Sequence, residues 1–267
     1  MRTNEQSKSD KELLCGVDIG AATAKVVLLT GAREIVSHAV IKSGVDFVAA
    51  STEALNLALK SADADSSQIV YTVATGYGRN NVPYRSESKT EITCQAKGCY
   101  FYFPKEMTVV DIGGQDSKII KVGADGSVLN FKMNRKCAAG TGTFLEEIAS
   151  RLGLTIDKLE ELSEKSTSDV ELGSFCTVFT QTEILSKIRA GIKVEDLVRG
   201  AFKSVVKRIL EMDTLTGDVV MTGGVVAHNR TVVQILSQRL GREVVVAPLP
   251  QVTGALGAAL IAAEVKI

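Results

Sequence analysis

Two stretches of the sequence decide the fold: LCGVDIGAATAKVVL at residues 14–28 and VVDIGGQDSKIIK at residues 109–121. Each contains Asp-Ile-Gly, then four residues, then a lysine followed by two β-branched residues. Each lies within apolar, β-rich sequence, which predicts a strand, a tight glycine turn and a returning strand. Two such hairpins in one chain indicate two related halves.

The remaining sequence alternates between strand and helix patterns. The stretch VVMTGGVV at residues 219–226 predicts a buried strand that runs into a Gly-Gly turn, with a helix following at 229–240. The stretch GALGAALIAAEV at 254–265 predicts a helix of small residues that can approach another backbone closely. Further helical patterns span 143–151, 156–165, 182–190 and 193–210. This alternation predicts an α/β fold.

The composition excludes several classes of protein. The 267 residues carry 31 basic and 31 acidic side chains, a net charge of +0, and the basic residues are scattered. Binding to nucleic acid or an anionic membrane by bulk electrostatics is therefore not expected. The most apolar stretch, 254–263, is half of the ~20 residues that a membrane-spanning helix needs. Residues 1–12 are polar, so we expect a disordered tail, no signal peptide and a cytoplasmic protein.

The glycine turns have the groups that bind a nucleotide's phosphates. Glycine lets backbone N–H groups approach phosphate oxygens, a carboxylate holds Mg²⁺ or its waters, and lysine neutralises charge. Two facing hairpins would clamp the phosphates, and the later Gly-Gly turn would admit an adenosine. No GxxxxGK is present, so this is not a P-loop protein. The turn residues are Asp18, Gly20 and Lys25, then Asp111, Gly113, Gly114, Gln115 and Asp116.

Two of the five cysteines are candidate metal ligands. Cys137 and Cys176 each precede a helical pattern, where the helix dipole and free N–H groups favour a thiolate or an anionic cluster. These two cysteines cannot alone supply the four thiolates of a 4Fe–4S cluster, but the same pair from two chains can. The alternative is that a cysteine is simply a small buried hydrophobe. We expect that role for the remaining three, Cys15, Cys94 and Cys99.

The two hairpins and the Gly-Gly turn resemble the phosphate-1, phosphate-2 and adenosine motifs of the actin, sugar-kinase and heat-shock ATPase superfamily. The resemblance covers nearly all of residues 13–267 and implies two ribonuclease-H-like domains, with ATP and Mg²⁺ in the cleft between them. The stretches ATGYGR at 74–79 and QVTGALGAAL at 251–260 fit the connecting and hinge segments. We expect the first domain at 13–105 plus 249–267 and the second at 106–248.

A narrower resemblance rests on NRKCAAGTGTFLE at 134–146 and SFCTVFTQTEILS at 174–186, together with the motifs above. They closely resemble the activators of 2-hydroxyacyl-CoA dehydratases, a family that includes benzoyl-CoA reductase ATPase subunits and double-cubane-cluster protein reductases. This implies a homodimer with one bridging 4Fe–4S cluster, held by Cys137 and Cys176 of each chain. Reduced by ferredoxin or flavodoxin, the dimer would use ATP to pass one electron to an iron–sulfur partner enzyme.

The resemblance also implies roles for the turn residues. Asp18 and Asp111 hold Mg²⁺ through water, Gln115 orients the attacking water or the γ-phosphate, and Gln251 lies near the adenine or ribose. Phosphate contacts come from Gly20, Ala21, Ala22, Thr23, Lys25, Gly113 and Gly114, and adenosine contacts from Gly223 and Gly224. Ala21 and Ala22 stand where the family commonly has Ser and Thr. We expect Lys118 to be an exposed strand residue, Asp116 to cap its turn, and His38 and His228 to be surface residues.

Two other functions remain open on the sequence alone. A small-molecule kinase, such as a sugar kinase, shares the ATP motifs, although the short chain leaves little room for a sugar-binding insertion. A dimer joined by a structural Zn²⁺ on four thiolates would have the same cysteines, but it would be colourless and redox-silent.

Overall fold

The computed structural model describes residues 12–173 and 177–265, and the chain divides into two compact units. Unit 1 comprises Met1–Pro104 and Val252–Ile267, and unit 2 comprises Lys105–Gln251. The predicted tail at 1–12 lies outside the described residues except for Glu12.

Unit 1 is a five-stranded mixed sheet with three helices. The strand order is β3-β2-β1-β4-β5, in which β1, β2 and β3 are antiparallel and β4 and β5 run parallel to β1. The strands are β1 (Leu13–Ile19), β2 (Thr23–Thr30), β3 (Ile35–Lys42), β4 (Ile69–Thr75) and β5 (Glu87–Ser88). The helices are α1 (Phe47–Ala62), α2 (Glu91–Tyr102) and α9 (Thr253–Val265).

Unit 2 repeats the same sheet and adds more helices. Its order is β8-β7-β6-β9-β10, with β6, β7 and β8 antiparallel and β9 and β10 parallel to β6. The strands are β6 (Met107–Ile112), β7 (Ser117–Val122), β8 (Val128–Asn134), β9 (Val219–Thr222) and β10 (Val245–Val246). The helices are α3 (Gly142–Arg151), α4 (Leu159–Glu164), α5 (Thr177–Arg189), α6 (Val194–Met212), α7 (Gly224–His228) and α8 (Arg230–Leu240).

The two sheets confirm the α/β prediction and the internal repeat. The predicted hairpins are β1–β2 and β6–β7, and they occupy the same place in the two strand orders. Asp18 lies opposite Lys25 in the first hairpin, and Asp111 lies opposite Lys118 in the second. Each half of the chain therefore presents its Asp-Ile-Gly turn at the end of its central strand.

Helix α9 is the most apolar helix, and it is buried along nearly its whole length. It packs against β1 through Gly16 and against α2 through Gly257, as expected for a helix of small residues. A Cβ on Gly16 would overlap the carbonyl oxygen of Ala255, and one on Gly257 would overlap that of Cys94. Across residues 12–173 and 177–265, no helix is both long and apolar enough to span a bilayer.

Several predicted boundaries are wrong in detail. The pattern at 156–165 is a 3-10 turn, Ile156–Lys158, followed by α4, and α5 begins at Thr177 rather than at residue 182. The short helix α7 precedes the helix predicted at 229–240.

Residues 249–251 were expected in the first domain but lie in unit 2. The reason is that the Pro250 carbonyl accepts hydrogen bonds from Gly223 N at 2.9 Å and Thr222 Oγ1 at 2.7 Å.

Replacing Gly257 by alanine tests the contact between α9 and α2. The added methyl group has to displace the Cys94 carbonyl, so we expect the free energy of unfolding to fall by about 2 kcal/mol, as is typical of overpacking. Gly31→Ala is the matched control, because a Cβ there meets nothing within 4 Å. Urea denaturation measures both variants; a Gly257→Ala midpoint equal to that of the parent protein would show that the two helices are not closely packed.

Candidate functional site

The first turn carries an ion pair at its base. Lys25 Nζ lies 3.0 Å from Asp18 Oδ2, and each side chain is 14% exposed. The pairing follows from the strand register, which places the two residues directly opposite each other on β1 and β2. The Asp18 carboxylate, predicted to hold Mg²⁺, and the Lys25 ammonium group, predicted to bind phosphate, are thus adjacent.

The backbone of the first turn has free donors. Gly20 N donates to Thr23 O at 3.0 Å, and Ser43 fixes the turn from outside by donating to the carbonyls of Gly20 and Ala22. The N–H groups of Ala21 and Ala22 donate to no acceptor in the described part of the chain. Successive free N–H groups of this kind form an anion site. Although these alanines lack hydroxyl groups, the main-chain donors remain.

The second turn repeats this backbone arrangement. Gly113 N donates to Asp116 O at 2.9 Å. Within the described ranges, the N–H groups of Gly114 and Gln115 find no acceptor. The Gln115 side chain is exposed, so its amide is available to a ligand. The predicted phosphate-binding residues of each turn are therefore close together within their own unit.

The prediction that Lys118 is exposed is wrong, and the prediction that Asp116 only caps its turn is incomplete. Lys118 is 3% exposed, and its Nζ lies 2.6 Å from Asp116 Oδ1 and 3.2 Å from Asp111 Oδ2. Lys118 faces Asp111 across the β6–β7 pair, as Lys25 faces Asp18, so the repeat itself was the signal for its position. Asp116 is a charged partner of this lysine as well as a turn residue.

Each aspartate also packs against a glycine that sequence reasoning did not connect with it. Gly76 has φ +86° and Gly223 has φ +100°, conformations that favour glycine. A Cβ on Gly76 would overlap Asp18 Oδ1, and a Cβ on Gly223 would overlap Asp111 Oδ1. Both glycines follow a threonine at the end of a parallel strand, so a Thr-Gly pair in each half was the available signal.

The residues assigned to adenosine lie together in unit 2. Gly223 caps the start of α7, and Gln251 Nε2 lies 3.7 Å from the place that a Cβ on Gly224 would occupy. Gln251 Oε1 also lies 3.3 Å from His228 Nε2. Both histidines, His38 and His228, are exposed, as expected. Gln251 and the Gly-Gly turn thus form one local surface.

The cysteines separate into buried and exposed classes. Cys15, Cys94 and Cys99 are buried, which confirms their prediction as core residues. Burial raises the pKa of the Cys15 and Cys94 thiols to about 12, which favours the protonated form of both at neutral pH. Cys137 is exposed and free. Cys176 lies outside the described residues, and α5 begins at the next residue.

The loop that carries Cys137 is held by hydrogen bonds. Asn134 Nδ2 donates to the carbonyls of Cys137 and Ala139, at 3.0 and 2.8 Å. Cys137 precedes α3, as predicted, with residues 138–141 between the cysteine and the first helical residue.

The start of α3 is bonded directly to the second turn. Gly142 N donates to Gly113 O at 2.9 Å, and Thr143 N donates to Gly114 O at 2.7 Å. Thr143 Oγ1 donates to the same Gly114 oxygen at 2.8 Å. The Ser117 hydroxyl also donates to the carbonyl of Gly140, in the Cys137 loop. The second turn is thereby bonded both to α3 and to the loop before it.

These residues fit a hydrated cation better than a fully liganded metal. Among residues 12–173 and 177–265, no group of three or more His, Cys, Asp or Glu side chains is placed to hold a metal ion. Asp18 and Asp111 can each contribute one carboxylate, which suits Mg²⁺ bound mainly through water and phosphate. Cys137 can contribute one accessible thiolate to a cluster shared with other ligands.

Comparison with solved structures shows the same fold. A crystal structure of (R)-2-hydroxyglutaryl-CoA dehydratase component A from Acidaminococcus fermentans matches with a TM-score of 0.90 and 38% identity, covering 94% of this chain and 98% of that one. An activator of 2-hydroxyisocaproyl-CoA dehydratase from Clostridium difficile, with bound ADPNP, matches with a TM-score of 0.88 and 37% identity, covering 94% of each chain. A ROK-family glucokinase from Streptomyces griseus, at 13% identity and a TM-score of 0.56, shares the fold alone. The expected pair of ribonuclease-H-like domains is confirmed.

Comparison of sequences gives the family. The activator of lactoyl-CoA dehydratase from Anaerotignum propionicum is 42% identical over 252 residues, which cover 93% of this chain and 96% of the relative. The model of the BadF/BadG/BcrA/BcrD ATPase family matches residues 15–262. The chain, with its two Asp-Ile-Gly turns and their lysine partners, belongs to the BadF/BadG/BcrA/BcrD ATPase family.

Proposed function

We propose that the protein is an ATP-dependent one-electron donor that activates a 2-hydroxyacyl-CoA dehydratase or a related iron–sulfur enzyme. The observation that carries this proposal is the set of hydrogen bonds between the second turn and the start of α3. They connect a phosphate-binding turn to the loop that exposes Cys137. The named dehydratase activators among the relatives support the choice of partner.

The two turns would bind the nucleotide's phosphates with backbone N–H groups. The turn of unit 1 offers Ala21 and Ala22, with Lys25 for charge, and that of unit 2 offers Gly114 and Gln115. Asp18 and Asp111 would each hold a water of the bound Mg²⁺. Gln115, with its exposed amide, would orient the attacking water, and Gly223, Gly224 and Gln251 would line the adenosine.

Cys137 and Cys176 of two chains together would supply four thiolates, the number that a 4Fe–4S cluster takes. When bound, this cluster supplies a one-electron carrier, and a ferredoxin or flavodoxin would be the donor. Two cations, Arg135 and Lys136, are exposed directly beside Cys137. They would favour a more negative, reduced centre or an acidic partner surface.

The chain couples ATP to this loop only if ATP binds two conformations with different affinity. A nucleotide that draws the N–H groups of Gly114 and Gln115 towards its phosphates moves the carbonyls of Gly113 and Gly114 as well. These carbonyls hold Gly142 and Thr143, so α3 follows the turn. The start of α3 is therefore the two-state element on which ATP would act.

The test is activation of dehydratases freed of their own activator. Lactoyl-CoA dehydratase from A. propionicum and (R)-2-hydroxyglutaryl-CoA dehydratase from A. fermentans would each be mixed with the reduced protein. We expect substrate dehydration to depend on ATP and to be absent with ADP. Failure with both enzymes, together with phosphoryl transfer from ATP to glucose, would contradict the proposal and support the sugar kinase.

Thr143→Val tests the coupling itself. The variant keeps the shape and the backbone donor but loses the hydroxyl bond to Gly114, worth about 1 kcal/mol. We expect dehydratase activation per ATP hydrolysed to fall about fivefold, with ATP hydrolysis retained. Thr93→Val, at an exposed position of α2, is the control. An unchanged ratio in Thr143→Val would exclude this route.

A further inference from the structure

The Gln95 side chain in unit 1 is buried, but its amide oxygen lacks a hydrogen-bond partner. Gln95 lies in α2 and is 7% exposed. Its Oε1 is fully shielded and accepts no hydrogen bond from any residue that the structure describes. Because an unsatisfied buried acceptor costs about 1–3 kcal/mol, such an atom calls for a ligand.

The Gln95 amide converges with Asp18 at the start of α9. The place that a Cβ on Gly254 would occupy lies 3.4 Å from Asp18 Oδ2 and 3.6 Å from Gln95 Oε1. Two oxygen acceptors from different elements, β1 and α2, therefore lie within contact distance of the side-chain position of residue 254. Glycine at position 254 places no side chain against the two oxygens.

The pairing of two acceptors selects the chemistry of the ligand. A water molecule that donates one hydrogen to each oxygen has no hydrogen left to donate. It can form further bonds only through its lone pairs. A water bound to a metal ion is in this state, because its lone pair is on the metal and both hydrogens can be donated. A carboxylate and an amide oxygen that share such a water recognise a hydrated cation.

We propose that Gln95 is a further residue of the magnesium site, where its Oε1 and Asp18 Oδ2 accept hydrogen bonds from one water of the hydrated cation that accompanies ATP. This inference rests on the proposed function, and it adds a residue on α2 to the two aspartates. Gln95 is a positioning residue, since it acts on the cation through water.

The test measures Mg²⁺-dependent binding of a fluorescent ATP analogue to the full-length protein, without turnover. Gln95→Leu keeps the size of the side chain and removes the acceptor. We expect the Mg²⁺ concentration for half-maximal binding to rise about tenfold, as for other outer-shell partners, with binding in EDTA unchanged. Gln95→Glu retains an acceptor and adds charge, so its Mg²⁺ midpoint is expected to match that of the parent protein or to fall. Lys97→Gln is the control, because Lys97 lies on the same helix as Gln95 and forms a surface ion pair with Glu264 of α9.

The outcomes separate the two proposals. A parent protein that binds no nucleotide contradicts the proposed function. A parent with Mg²⁺-dependent binding and a Gln95→Leu variant with the same midpoint overturns only the role of Gln95. A loss in Gln95→Glu as large as in Gln95→Leu also overturns it, because it would show that the amide donates directly to Asp18. Thermal unfolding of each variant checks the fold, and Gln95→Met replaces Gln95→Leu if the latter is unstable.

Discussion

Protein with Cys137 replaced by serine is expected to contain essentially no iron when it is purified without oxygen. Cys137 is the exposed, free cysteine among the described residues, whereas Cys15, Cys94 and Cys99 are buried. Loss of this thiolate leaves at most two of the four ligands in a pair of chains. We expect ATP binding to persist, because the turns remain intact.

Cys15→Ser is the matched control for the iron measurement. It makes the same sulfur-to-oxygen change at a buried site whose thiol pKa is raised by burial to about 12. Iron and acid-labile sulfide are measured in both variants and in the parent protein. A Cys137→Ser protein with the parent's iron content would show that Cys137 is not a ligand.

Alanine at Gly223 is expected to lower the free energy of unfolding by about 3 kcal/mol and to abolish nucleotide binding. The cost has two sources, which are a backbone conformation that favours glycine and a Cβ that overlaps Asp111 Oδ1 and Ile112 O. Because Asp111 has to move, its contact with Lys118 is lost, and with it the proposed contact with a hydrated cation.

The neighbouring glycine provides the comparison for Gly223. A Cβ on Gly224 meets only Gln251 Nε2, at 3.7 Å, so Gly224→Ala is expected to fold normally. If the adenosine packs against this residue, the variant loses nucleotide affinity without losing stability. Denaturation and nucleotide titration measure both variants. Full nucleotide affinity in Gly223→Ala would contradict the role of Asp111.

The sequence predicted the local elements of this fold because each one has its own signal. The Asp-Ile-Gly hairpins, the strand before Gly223 and the small-residue helix α9 follow from periodicity and turn chemistry. The burial of Cys15 was predicted from its place in the first strand, whereas Cys94 and Cys99 were expected to be core or near-surface thiols and are buried.

The errors concern contacts between elements that are distant in sequence. Lys118 was expected to be exposed because lysine usually is, but the strand register places it between two aspartates. The Thr-Gly pair at 75–76 marks the first of the two glycines that border Asp18, but it does not encode the contact itself. That contact, and the one at Gly254, depend on how β4 and α9 meet Asp18. The position of Pro250 in unit 2 depends on hydrogen bonds from residues 222 and 223.

Native mass spectrometry of the parent protein, purified without oxygen, tests the shared cluster most directly. We predict a dimer that carries the mass of one 4Fe–4S cluster, and a cluster-free mass for Cys137→Ser. A dimer with no added mass, or with the mass of Zn²⁺ in place of iron and sulfide, would contradict the proposed electron donor.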